Sequence, residues 1–200
     1  MVSIMVEATI NIISYLALAG FFGILVTIWA YLNDTLFGST LTQRIRTVIS
    51  PFAYSIAFFL SLSATLASLF LSEVAHFAPC VLCWYQRIFM YTQPVLWYMA
   101  MARKQEHIIK PYIMLLNVIG AFWALYHYSL HILPRNLVVI APCAKSVGGV
   151  PCDKGYEMMF GFMTFPLMAA VVFILNIIIL QLYTPRVAQA PTKKARKKKK

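Results

Sequence analysis

Ala78-Pro79-Cys80-Val81-Leu82-Cys83-Trp84-Tyr85-Gln86-Arg87 joins a short stretch without Lys or Arg, Ser72–Cys83, to an apolar run that continues to Met101. The run Trp84–Met101 carries one charge, Arg87, and approaches the ~20 residues that an α-helix needs to cross a bilayer core. Four further runs flank it: Ile10–Leu32, Pro51–Leu71, Tyr112–Leu133 and Phe160–Leu182. No Asp or Glu interrupts any of them, and Arg87 is the only Lys or Arg inside. Such runs are apolar all round, so their periodicity does not pick out a buried face. Pro94 and Pro166 sit inside two of them, which membrane helices tolerate. The expectation is an all-α integral membrane protein with five transmembrane helices.

Composition agrees. Of 200 residues, 61% are hydrophobic, 14% aromatic and 12% charged, about half the charged fraction of a soluble domain. Mean hydropathy is +0.75. These values exclude a nucleic-acid-binding module, a disordered tail protein and a large soluble enzyme. The net charge of +11 is mostly a tail property, since eight of the 17 Lys and Arg residues lie between Arg186 and Lys200. That tail reads as a disordered segment drawn to anionic lipid. Ala17-Leu18-Ala19 resembles a signal cleavage site, but no Lys or Arg precedes it and the apolar run continues past it. The first run therefore reads as a retained helix.

Basic residues orient the helices. The connection Ser72–Cys83 has none, whereas Arg44 and Arg46, then Arg103, Lys104 and Lys110, then the tail occupy alternate connections. Alternation puts those three on the cytoplasmic side. Ser72–Cys83 and Pro134–Met159 are then extracytoplasmic, although Arg135, Lys145 and Lys154 count against the second of them.

All four cysteines fall in these two connections. Cys80 and Cys83 form a CxxC; Cys143 and Cys152 flank a stretch containing Gly148-Gly149. An even count on an oxidising face favours disulfides, and three readings compete. Two structural disulfides suit Cys143 and Cys152, but a ring as small as Cys80–Cys83 constrains little chain entropy. A zinc site built from two cysteine pairs is a second use of such spacing. The third is a redox relay, because CxxC thiols exchange readily when a helix N-terminus lowers their pKa.

Cys83 opens the third run, where free N–H groups and the helix dipole favour a thiolate. Arg87 lies four residues on, on the same helical face and about 6 Å deeper. An intramembrane arginine marks a functional site unless it snorkels to the interface. With a CxxC one turn above it, the functional reading leads.

Cys80-Val81-Leu82-Cys83-Trp84-Tyr85-Gln86-Arg87 resembles the DsbB/BdbC family of membrane disulfide-bond formation proteins. The resemblance extends from about Pro51 to Leu182, and the short Cys143–Cys152 spacing is more similar to the BdbC branch. It implies a four-helix transmembrane bundle, and the run Ile10–Leu32 departs from the family as one additional N-terminal transmembrane helix. The chain would divide into residues 1–50, a redox bundle over 51–183 and a basic cytoplasmic tail over 184–200. It also implies a multi-pass protein of the inner or cytoplasmic membrane that reoxidises a thioredoxin-like extracytoplasmic partner of the DsbA/BdbD type. Electrons would pass to a membrane quinone, ubiquinone or menaquinone. On this resemblance Cys143 and Cys152 accept electrons from the partner's dithiol, with Cys143 forming the mixed disulfide. Cys80 and Cys83 are reduced by exchange, Cys83 faces the quinone as a thiolate, and Arg87 and His127 belong to the quinone site.

Trp84, Tyr85 and Phe89 are candidate walls of that site, or members of an interfacial aromatic belt. A short second loop has little reach, so a relay requires the two pairs to lie close already. His127 and His131 are spaced i, i+4 without a third ligand in their helix, which argues against a metal. His76 reads as a solvated loop residue, and the ten methionines as packing. The competing functions are a non-enzymatic membrane protein with two structural disulfides and a vitamin-K-type quinone reductase on a similar bundle. The first run, Ile10–Leu32, has no assigned role.

Overall fold

The computed structural model describes residues 2–133, 152 and 160–183. Among them run six α-helices: α1 (Val2–Phe37), α2 (Leu41–Ile49), α3 (Ala53–Leu69), α4 (Val81–Arg103), α5 (Glu106–Ile132) and α6 (Phe165–Leu182). A 3₁₀ turn at Ser50–Phe52 joins α2 to α3, and a π-helical turn at Phe70–Val74 extends α3.

Local chemistry sets the helix ends. The Asp34 carboxylate, near the end of α1, accepts hydrogen bonds from the backbone N–H of Leu41 (3.0 Å) and Thr42 (2.8 Å). These are orphan donors of the first turn of α2, so one side chain both caps α2 and fixes its angle to α1. Pro51 and Pro166 stand at the first positions of their helices, where no N–H is needed. Lys104 ends α4 in the left-handed conformation, φ 52°.

Among the described residues, four stretches are long and apolar enough to cross a membrane: Ile4–Phe37, Leu41–Val74, Glu106–Ile132 and Phe165–Leu182. They match four of the five expected runs, with the first and second much extended. The third, expected at Trp84–Met101, forms the 23-residue helix α4 but falls short on apolar character. Gln86, Arg87, Thr92 and Gln93 dilute it.

The helices pack α3 on α4, α4 on α5, α5 on α6, and α6 back on α3, while α1 lies against α6 and α2. Aromatic and branched side chains fill one end of this group, where Tyr54, Trp97, Ile113 and Leu180 are buried together. Its middle is tighter. A Cβ on Gly120 would overlap the ring of Phe173, so α5 approaches α6 as small residues allow in membrane bundles. Buried amides cross the interior. Asn117 donates to Gln93 Oε1 at 3.0 Å, and Asn176 to Ser61 Oγ at 2.9 Å. Each bond ties two helices where water is absent. Large side chains such as Phe22, Trp29, Phe59, Tyr98 and Phe122 point outward, the surface expected of a chain solvated by lipid rather than water.

Candidate functional site: a dithiol above an apolar cavity

Pro79 immediately precedes Cys80 in the segment between the π-helical turn and α4. Cys80 is the N-cap residue of α4, with φ −76° and ψ 173°. In that role its sulfur does what an Asp or Ser oxygen usually does: Sγ accepts the backbone N–H of Cys83 at 3.3 Å. Cys80 and Cys83 are free thiols with their sulfurs 3.0 Å apart, beyond the length of a disulfide bond. His127, buried on α5, brings Nε2 to 3.7 Å from Cys80 Sγ. Hydrogen bonding from the Cys83 thiol, then from His127, holds the Cys80 thiol far below its ordinary range, at about 4. The sequence had pointed to Cys83 as the sulfur at the helix start. In the structure three donors converge on Cys80 instead, because the capping residue precedes the helix and turns its side chain back over the first turn.

Cys152 is buried and disulfide-bonded. Its carbonyl oxygen accepts from His127 Nε2 at 3.2 Å. Cys80 Sγ, Cys152 Sγ and a ring nitrogen of His127 all lie within 4.8 Å of one another. Cys152 and Cys80 therefore meet at His127. Cys143 lies outside the described residues. The cluster is poor for zinc: a disulfide sulfur is not a thiolate, which leaves two ligands where a structural site needs four. His131 stacks obliquely on His127, ring centroids 5.2 Å apart, and does not enter the cluster. His76 is exposed.

Gln86 was not singled out from sequence. Buried on α4, it places Nε2 2.8 Å from His127 Nδ1. The only signal was a polar residue one position before Arg87, inside a run otherwise read as apolar.

Below the dithiol is a cavity of about 290 Å³. Cys83, Gln86 and Arg87 line its upper part, with Phe77 and Pro79. Met90, Leu60 and Leu175 continue the lining along α4, α3 and α6. Arg87 Nη2 donates to the Ser68 carbonyl of α3 at 3.3 Å, and its guanidinium sits 5.4 Å from the Trp84 ring centroid. Trp84 thus steadies Arg87 from outside. Tyr85 packs on Trp123 at 5.0 Å. Neither they nor Phe89 line the cavity; the aromatic walls are Phe77 and Phe165. An apolar chamber with a thiol and a guanidinium at one end fits an amphiphilic ring bearing carbonyl oxygens, so the residues present suit a membrane quinone. The size is near the lower limit of small-molecule sites, about 300 Å³.

Fold and site together define a helical membrane protein with a dithiol at a helix N-terminus beside a third, disulfide-bonded cysteine. The family profile described as "Disulfide bond formation protein DsbB" matches residues 50–183, and the chain belongs to that family. It is 41% identical over 122 residues to the "SPbeta prophage-derived disulfide bond formation protein B" of Bacillus subtilis, covering 61% of this chain and 78% of that one. With the "Disulfide bond formation protein C" of the same organism it shares 43% over 119 residues, 59% and 82% of the two chains. The "Probable disulfide formation protein C 2" of Bacillus cereus is 32% identical over 138 residues, 69% and 95% of the chains. No solved structure matches.

Proposed function

We propose that the protein is a quinone-dependent thiol oxidase that reoxidises a thioredoxin-like extracytoplasmic disulfide donor. The observation that carries this reading is the position of the Cys152 sulfur, within 4.8 Å of Cys80 Sγ, while Cys83 and Arg87 open onto the cavity. Family membership and relatives named as disulfide bond formation proteins support it.

The relay balances as two dithiol–disulfide exchanges. The partner's dithiol reduces the Cys143–Cys152 disulfide, through a mixed disulfide on Cys143, and leaves oxidised. The Cys143–Cys152 dithiol then reduces a Cys80–Cys83 disulfide and becomes a disulfide again. Each exchange needs a thiolate lined up on a disulfide sulfur. His127 Nε2–H, directed at Cys80 Sγ, stabilises that sulfur as the anion that leaves or attacks. A bound quinone supplies an acceptor for two electrons and two protons. Cys83 would meet it at the top of the cavity, and the Arg87 guanidinium would hold negative charge there in a medium that screens little.

The same reading makes α4 a membrane helix despite its polar residues. At 1.5 Å per residue its 23 residues reach about 35 Å, and it packs between α3 and α5. α3 to α6 then form the redox bundle of residues 51–183, and α1, within residues 1–50, is an extra span. The cysteine loops lie outside the cell membrane and the basic 184–200 tail lies in the cytoplasm. The static alternative of two structural disulfides gives no role to the convergence of Cys80, Cys152 and His127 or to the cavity below Cys83 and Arg87.

The test is anaerobic. Purified protein is mixed with a reduced thioredoxin-like partner and a quinone analogue, and quinone absorbance is followed. One quinone is expected to disappear per partner dithiol, and none in Cys83→Ala. Full turnover in Cys83→Ala or Cys143→Ala would remove the relay.

A further inference from the structure

The helix with no counterpart in the family match is part of the cavity. The match begins at residue 50, yet Ile13, Leu16 and Ala17 of α1 line the same chamber as Cys83 and Arg87. Between Ile10 and Ala30 the residues of α1 that are buried or half-buried fall at Ile10, Ile13, Ser14, Ala17, Leu18, Gly20, Phe21, Ile24, Thr27 and Ala30. That is a helical stripe of period 3–4, which the uniformly apolar sequence concealed. The stripe seats on α6 at Gly20, where an added Cβ would stand 2.9 Å from Val171 Cγ1 and 3.0 Å from Leu175 Cδ1. Val171 and Leu175 both line the chamber, so this α1–α6 contact is also a wall of the cavity.

On its other edge α1 is open. It packs on α6 and α2 but not closely on α3. Leu16 of α1 and Ser63 of α3 each line the cavity while remaining exposed, Leu16 at 66%. Exposed lining on both helices points to a sideways opening of the chamber between α1 and α3, toward the surface that faces lipid. From Cys83 to Met90 along α4 it descends about 10 Å, away from the polar groups.

We propose that α1 is the outer wall of the quinone site, and that the gap between Leu16 and Ser63 is the portal through which the quinone's isoprenoid tail passes into the bilayer. The assignment rests on the thiol-oxidase reading for its occupant. The occupant follows from the chamber: a polar group at the Cys83–Arg87 end, a volume too small for a long tail, and a lateral opening to hydrocarbon. A membrane quinone has that distribution of polar head and apolar tail.

The experiment uses the full-length protein in nanodiscs with a photoactivatable azidoquinone carrying an isoprenoid chain. Labelling is mapped by peptide mass spectrometry, and binding is measured separately by quenching of tryptophan fluorescence. Label is expected on the α1 peptide around Ile13–Ala17 as well as on α3. Ala17→Trp, which fills the wall, is expected to weaken quinone binding roughly tenfold or more, the usual scale of overpacking. Phe22→Trp, on the outward side of α1, is expected to bind as wild type. Partner oxidation by the pre-formed disulfide at Cys152, a single turnover without quinone, should persist in both and shows that the bundle is folded. Label confined to α3, α4 and α6, with wild-type binding by Ala17→Trp, would overturn the role of α1. Label on α1 that excess phospholipid displaces and excess quinone does not would make the groove a lipid site and also overturn it. If wild-type protein binds no quinone in this assay, the thiol-oxidase reading fails first and the portal with it.

Discussion

Gln86 donates a hydrogen bond from its amide nitrogen to His127 Nδ1 at 2.8 Å, and this bond selects the tautomer of the histidine. An amide N–H₂ has no lone pair to offer, so Nδ1 must be the acceptor and the ring proton of neutral His127 resides on Nε2. That nitrogen faces Cys80 Sγ at 3.7 Å and the Cys152 carbonyl at 3.2 Å. A glutamine on α4 thereby aims a donor on α5 at the sulfur that starts α4.

Gln86→Leu should release the imidazole. Exchange between the two cysteine pairs is expected to slow by roughly fivefold to tenfold, the worth of one ordinary hydrogen bond. Nitrogen NMR of the labelled histidine should show Nε2–H in the wild type and a mixture of tautomers in the variant. An unchanged tautomer in Gln86→Leu would remove Gln86 from this role.

The Cys80 thiol, held at about 4 by the Cys83 thiol and His127, should carry a charge throughout the neutral range. Lowering an acid's pKa on folding stabilises the reduced protein fully above the ordinary thiol value of about 8.5. The gain is lost as pH falls through about 4. Ultraviolet thiolate absorbance of the reduced protein is expected to stay constant from pH 8 to about 5 and then fall. In His127→Ala the fall should begin at higher pH, since one donor to the sulfur is gone. Loss of the absorbance near pH 8 in the wild type would contradict the arrangement.

Arg87 is bonded to the Ser68 carbonyl and flanked by Trp84, so its charge is held at the cavity rather than at the headgroups. Arg87→Ala should raise KM for quinone by about tenfold to a hundredfold, in line with a charged hydrogen bond. The quinone-free oxidation of partner should be unaffected. Arg87→Lys keeps the charge and loses the planar fork, and an intermediate KM is expected. Equal losses in both half-reactions would mean that Arg87 supports the fold instead.

Gly120 bears on stability alone. With the Phe173 ring where its Cβ would stand, Gly120→Ala should cost about 1–3 kcal/mol through displacement of α6. Thermal unfolding in detergent would report it. Ala121, which is already buried nearby, is the natural comparison: Ala121→Gly should lower stability less.

Much of the architecture was legible in the chain. Four of the five apolar runs meet the requirements of a membrane span, because a bilayer imposes a length and a composition that sequence displays directly. The run Trp84–Met101 reads as a fifth span in the sequence; it does form a helix, α4, but its polar residues leave it less apolar than the other four. The CxxC and the arginine one turn below it could be placed together by helical spacing, and the structure puts Cys83 and Arg87 on one cavity. Spacing along one helix carries that information.

Contacts between helices do not appear in spacing. The amino-acid sequence by itself determined a helical membrane chain, its cysteine pairs and the register of Cys83 with Arg87. Only the tertiary structure decided that Cys80 is the capping sulfur, that Cys152 and Cys80 converge on His127, and that Gln86 sets the ring. It likewise decided that Phe77 and Phe165, rather than Trp84, Tyr85 and Phe89, wall the cavity, and that α1 closes one side of it. The physical reason is common to all of these. In lipid every helix face is apolar, so sequence carries no amphipathic signal to say which face turns inward. That choice is made by close packing at residues such as Gly20 and Gly120 and by the few polar groups that must find partners across helices.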